Sequence, residues 1–200
     1  EDEILGAIEE LIERQPERAR CYTLVFAGQG WHRGVIGIVA QRVVDRYHRP
    51  ALVIGVEEGA AVGSGRSIKG FHLLEALSKA SDLFERFGGH AQAAGFALPA
   101  SRIAEVESRF ERYARTVLAP DDLEPVLCVD AQVSLAELDP GLYASVRRLE
   151  PYGFGNPTPV FVARDTLLVA PPRILKEKHL KLRVAQGARA FDALGWGMAA

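Results

Sequence analysis

Phe87-Gly88-Gly89-His90-Ala91-Gln92-Ala93-Ala94-Gly95-Phe96 places two glycines and a histidine directly ahead of a run of small, apolar residues. Adjacent glycines admit backbone conformations closed to other residues, so successive N–H groups can point into one concavity. The histidine beside them adds a donor that can become cationic. A turn of that kind can hold a phosphate, and Ala93 to Leu98 then reads as a strand leaving it. Taken alone, Gly-Gly-His favours a plain turn with a structural histidine, because so short a motif carries little specificity.

A second polar cluster precedes it: Gly63-Ser64-Gly65-Arg66-Ser67-Ile68-Lys69-Gly70-Phe71-His72. Here a planar guanidinium stands between two hydroxyls, on a backbone thinned by Gly65 so that a ligand can approach closely. That set suits a phosphodiester. Read by itself, it suits a glycine-rich hairpin with a surface arginine equally well.

The two clusters in this order resemble the DHH-associated domain of the bacterial RecJ exonuclease family. The resemblance rests on Ser64-Gly65-Arg66-Ser67, Gly70-Phe71-His72-Leu73-Leu74-Glu75-Ala76-Leu77 and the Gly-Gly-His run. Upstream, Gly30-Trp31-His32-Arg33-Gly34-Val35-Ile36-Gly37-Ile38-Val39-Ala40 and Tyr47-His48-Arg49-Pro50 also match. Downstream, Leu149-Glu150-Pro151-Tyr152-Gly153-Phe154-Gly155-Asn156-Pro157-Thr158-Pro159-Val160-Phe161 resembles the family's entry into its OB-fold domain, and His179-Leu180-Lys181-Leu182 a later strand of it. The resemblance implies a 5'-to-3' exonuclease on single-stranded DNA, working in repair and recombination, with possible repair or single-strand-binding proteins as partners. It implies that Arg66, flanked by Ser64, Gly65 and Ser67, clamps a phosphate, that Gly88 and Gly89 offer backbone N–H groups, and that His90 contacts a phosphate oxygen beside the catalytic metals. Trp31 and His32 are secondary candidates, for stacking or for lining the same cleft.

Composition bounds these readings. The chain has 200 residues, 48% hydrophobic and 25% charged, with a net charge of −2, so nucleic acid must be met by a local patch rather than by bulk charge. Cys21 and Cys128 lie far apart, which suggests neither a disulfide framework nor a zinc spacing and points to the reducing cytoplasm. No run is apolar and long enough to span a bilayer, and no signal-peptide pattern opens the chain. The chain starts at Glu1 and its one methionine is Met198, so a piece of a longer protein is expected.

Along the chain, Ile4, Leu5, Ile8, Leu11 and Ile12 recur at helical spacing and predict a connector helix within residues 1–20. Strands are predicted over Cys21 to Ala27 and Ala51 to Val56, with a helix from Val35 to Tyr47 between them. Gly28-Gln29-Gly30 lacks the third glycine and the acid of a dinucleotide fingerprint. A strand over residues 60–67, a helix from Phe71 to Ala80, and a helix capped by Ser101 and running through Leu118 complete an α/β, mixed-sheet DHH-associated domain over 21–118. In the last helix Ile103, Val106, Phe110, Tyr113, Ala114 and Val117 form one apolar face. Prolines and acids mark a linker at 119–125.

Residues 126–200 read as a mainly β, partial OB-fold-like domain. Its predicted strands are Val126 to Val133, Val160 to Val169, Leu180 to Val184 and Phe191 to Trp196, with a helix from Pro140 to Leu149. A five-stranded barrel needs more chain than remains after Gly195. Lys176, Lys178, Lys181 and Arg183, with His179, form either an electrostatic track for a nucleic-acid backbone or a solvated strand face.

The family's chemistry comes from an amino-terminal domain in which an Asp-His-His run and other ligands hold two divalent metals, manganese or magnesium. No such run occurs here, and Asp130, Asp139, Asp165 and Asp192 are scattered, so no metal or cofactor is expected in this chain. The chain is expected to bind but not to cut. Two alternatives stay open: an oligoribonucleotide or cyclic-dinucleotide phosphodiesterase of the same superfamily, and a non-catalytic scaffold for nucleic acid or protein. The continuation through Pro151 to Phe161 favours the exonuclease over the first.

Overall fold

A computed structural model describes residues 1–153 and 155–199, so Phe154 of the resemblance motif and Ala200 at the end of the OB-like segment lie outside the described residues. The chain divides into two compact units, Glu1–Pro125 and Val126–Ala200.

The first unit is built on a mixed sheet of β1 (Leu24–Gln29), β2 (Ala51–Glu57), β3 (Ala60–Arg66), β4 (Arg86–Gly89) and β5 (Ala93–Pro99), in spatial order β1-β2-β3-β5-β4. β1 and β2 are parallel and the other neighbours antiparallel. Parallel neighbours need a crossover, which α2 (Ile36–Tyr47) supplies. β2 carries Ala51, Leu52, Val53 and Ile54, all at 0% exposure, because it is covered on both faces; its unbroken apolar run follows from that. α2 buries Val39, Ala40, Val43 and Val44 and ends where His48 takes a left-handed φ of 49°. Arg49 then donates to the carbonyls of Cys21, Tyr47, His48 and Leu123, which fixes the joint between α2 and β2.

Three further helices close this core. α1 (Asp2–Arg14) lays Ile4, Ile8 and Ile12 into it, α3 (Leu73–Ser78) buries Leu73, Ala76 and Leu77, and α4 (Ile103–Val117) buries Val106, Phe110 and Ala114. Phe71, just ahead of α3, packs on α4, edge-on to Phe110 with ring centroids 5.3 Å apart. Val117, expected on the apolar face of α4, is the last residue of that helix and is 42% exposed. Ser101 does not cap α4: it lies inside the 3-10 turn Ala100–Arg102, and the helix starts without a side-chain cap. The first strand begins later than Cys21, because the Tyr22 and Thr23 N–H groups donate to the Glu111 carboxylate of α4 at 3.1 and 2.9 Å instead of joining the sheet.

In the second unit β8 (Leu167–Leu175), β9 (His179–Gln186) and β10 (Arg189–Gly195) form an antiparallel meander in the order β10-β9-β8. β6 (Ala131–Gln132) pairs in parallel with β7 (Phe161–Val162), and α5 (Pro140–Arg147) starts at Asp139, whose carboxylate accepts the Leu142 N–H at 2.7 Å. Only Ala131–Gln132 of the strand expected over Val126 to Val133 forms; Val126 and Leu127 are 77% exposed and bury nothing that would favour extension. β8 runs on past Val169 through Pro171 and Pro172, which an edge strand with register shifts tolerates. Among the described residues no helix is long and apolar enough to cross a membrane.

Candidate nucleic-acid interface

Successive side chains of β3 point to opposite faces of the sheet. Gly63 and Gly65 face the core: a methyl on Gly63 would stand 2.1 Å from the Phe96 ring, and one on Gly65 2.7 Å from Leu52. The bareness of Gly65 therefore serves packing rather than ligand approach, a correction that only the strand register could supply. Ser64 and Arg66 take the other face, half-buried beside α2.

The register extends that face across the sheet. Ser64 pairs with Gly95 of β5 and Gly95 with Gly88 of β4, while Arg66 pairs with Ala93. The His90 N–H donates to the Ala93 carbonyl at 2.8 Å, so the His90 backbone meets the residue that pairs with Arg66. Between the arginine and the histidine the floor is Gly88, Ala93 and Gly95, with nothing larger than a methyl. Gly88 and Gly89 lie on an edge strand rather than in the expected turn, which falls at His90 to Gln92. Gly89 has a φ of 148°, and a methyl there would meet the Ala93 carbonyl oxygen at 2.3 Å, so only glycine leads β4 into His90.

Arg66 donates from Nη1 to Ser64 Oγ at 3.0 Å and to the Gly65 carbonyl at 2.8 Å. Because Ser64 Oγ accepts there, its own proton is free to donate. Nε and Nη2 of Arg66 have no acceptor among the described residues, and no carboxylate among them lies within ion-pair distance of Arg66. A guanidinium anchored by one arm, un-neutralised, and open along its other edge can take two oxygens of one phosphate.

The remaining candidates are placed differently. Ser67 is buried, with its hydroxyl donating to the Phe71 carbonyl at 2.7 Å and its N–H to Gln92 at 3.0 Å, so it closes the turn into α3. Trp31 lays its ring on Gly28, where a methyl would come within 2.1 Å, and its carbonyl on Gly55. Exposed His32 accepts the Gly34 N–H on Nδ1 at 3.1 Å. Both line a cavity of about 550 Å³ with Arg33, Glu57 and Glu58; its lining includes neither Arg66 nor His90.

In the second unit Lys176 and Lys178 belong to the β8–β9 turn, where Lys176 and Glu177 have φ of 49° and 57°. Lys181 and Arg183 share one carboxylate, Asp192, at 3.0 and 2.9 Å, and their hydrogen bonds, that of Lys181 first, hold the Asp192 carboxyl below the usual carboxylate range. Arg173, opposite Lys181 on β8, adds a cation that the sequence did not reveal, since the β8 bulges hide its register. His179 is structural: Nδ1 accepts the Gly197 N–H at 2.9 Å and its ring meets Trp196 edge-on at 4.8 Å.

The family model described as the DHHA1 domain matches residues 20–116 and that described as the RecJ OB domain matches residues 129–200. The chain belongs to the RecJ family. The single-stranded-DNA-specific exonuclease RecJ of Bacillus subtilis is 37% identical over 176 residues, 86% of this chain and 22% of that protein. The RecJ of Escherichia coli is 35% identical over 159 residues, 77% of this chain and 27% of that protein. The crystal structure of RecJ in complex with Mn2+ from Thermus thermophilus covers 100% of this chain at a TM-score of 0.76 and 29% identity, with 29% of that chain covered. This RecJ-family chain thus spans 22% to 32% of the length of the curated relatives it matches. Among its described residues no three His, Cys, Asp or Glu side chains gather as metal ligands.

Proposed function

We propose that this chain is the substrate-binding portion of a RecJ-like, 5'-to-3' single-stranded DNA exonuclease of the cytoplasm, acting in repair and recombination. Residues 21–118 hold the DNA phosphates, 119–125 link, and 126–200 add an OB-like surface through Lys176, Lys178, Lys181 and Arg183 with Arg173. The observation that carries the reading is Arg66: Nη1 is fixed to Ser64 and Gly65, and no carboxylate among the described residues neutralises it. Ser64 supplies a hydroxyl proton, and the bare floor of Gly88, Ala93 and Gly95 lets a strand of DNA lie close. His90 contacts a phosphate oxygen from the far side, and Gly88 and Gly89 present backbone from the sheet edge. Phosphate carries no base information, so the grip is indifferent to sequence.

The described residues gather no metal-ligand set. Thermus thermophilus RecJ has been crystallised in complex with Mn2+ and with Mg2+, and we place the corresponding metal in a catalytic domain outside this chain. What this chain contributes is binding and orientation of the strand. Titration of the labelled chain with a 5'-phosphorylated oligothymidylate tests the reading by amide shifts. Perturbations centred on Ser64, Arg66, Gly88, Gly89 and His90 are expected; perturbations absent from those residues would contradict it.

A further inference from the structure

Gly37, the second residue of α2, is turned toward β3 at a position where alanine would strengthen the helix. Its φ lies outside the left-handed region, so conformation does not call for glycine. A methyl built on it would stand 3.1 Å from Arg66 Nη2 and 3.2 Å from Ser64 Oγ, and its third-nearest atom is Arg66 Cζ at 3.8 Å. The three atoms nearest that missing methyl thus all belong to the two polar side chains. The core of α2 packs through Ile36, Val39, Ala40 and Val43 without it.

We propose that Gly37 is a positioning residue for phosphate: its bareness keeps open the space beside the free arm of Arg66 and the free proton of Ser64. Nη1 is already committed to Ser64 and Gly65, so Nη2 is the arm that must reach a phosphodiester oxygen. A methyl at residue 37 pushes that arm aside or fills the place of the oxygen. The inference rests on Arg66 as the phosphate clamp.

The test uses Gly37→Ala, Arg66→Ala and the double variant of the chain. The Arg66 Nε–Hε resonance, assigned by its loss in Arg66→Ala, shifts in Gly37→Ala, while the melting temperature holds or rises. Affinity for a fluorescein-labelled, 5'-phosphorylated oligothymidylate falls about 3- to 10-fold in Gly37→Ala, the scale of part of a charge-assisted hydrogen bond. Added to Arg66→Ala, the alanine at residue 37 costs nothing more. An unmoved Arg66 resonance, or an equal loss on top of Arg66→Ala, overturns the proposal. If Arg66→Ala weakens binding and Gly37→Ala does not, the positioning role alone fails. If Arg66→Ala leaves affinity unchanged, the clamp reading fails and this proposal with it.

Discussion

Ser64 and Arg66 act as a pair, because the serine oxygen that accepts from Nη1 also fixes the fork in place. Ser64→Ala should therefore weaken single-stranded DNA binding by about 0.5–1.5 kcal/mol, the net value of one hydrogen bond, as measured by fluorescence anisotropy. His90 has another task. It is proposed to meet the phosphate nearest the chemistry. In the full-length enzyme His90→Ala should lower single-turnover cleavage more than affinity, and equally for all base sequences. Normal cleavage with weakened affinity would move His90 to a plain binding role. Glu111 is a residue of stability instead: its carboxylate accepts from Tyr22, from both donors of Thr23, and from Arg115. Glu111→Ala strands those N–H groups and should cost about 1–3 kcal/mol in urea unfolding.

At the scale of elements, the β9–β10 pair sets two cations against Asp192. Asp192→Asn releases both, so oligonucleotide binding by the chain should tighten at low salt and its salt dependence should steepen. The pH dependence carries the same sign. Asp192 has a lowered carboxyl pKa in the fold, so its stabilising ion pairs are present above the ordinary carboxylate range and are lost as pH falls through that lowered value. Binding to DNA should strengthen more over that acid range in the wild type than in Asp192→Asn. Elements were legible where burial wrote a period into the chain: β2 as an unbroken apolar run, α2 as a helical stripe, and β3 with its polar cluster. The edge strand Arg86–Gly89 was not, because four residues with two glycines read as a turn until β5 pairs with them. Gly65 faces the core because adjacent strand residues point opposite ways, which only register reveals, whereas Ser67 lies past the strand and bonds to Phe71 in the turn. Arg66 and His90 stood out in the sequence; that Ala93 lies between them, paired with the one and bonded to the backbone of the other, did not.

For the molecule as a whole, the two units differ in how much they bury. The first holds a continuous core from Ile4 to Leu123, whereas Leu135 is the one buried apolar residue of the second among those described. A chain ending at Pro125 should accordingly melt cooperatively by circular dichroism; gradual loss of signal would contradict its independence. The intact chain, given manganese and labelled single-stranded DNA, should release no mononucleotides, because no metal-ligand cluster forms among its described residues. Whether this chain grips DNA by phosphate through Arg66 is decided by a salt titration of oligothymidylate binding, with wild type and Arg66→Ala side by side. Arg66→Ala is expected to lose about 1–3 kcal/mol of binding and about 0.7 of a unit of log-log salt slope, the share of one phosphate contact on a single strand. An unchanged slope with unchanged affinity would contradict the account and leave Ser64-Gly65-Arg66 an ordinary strand.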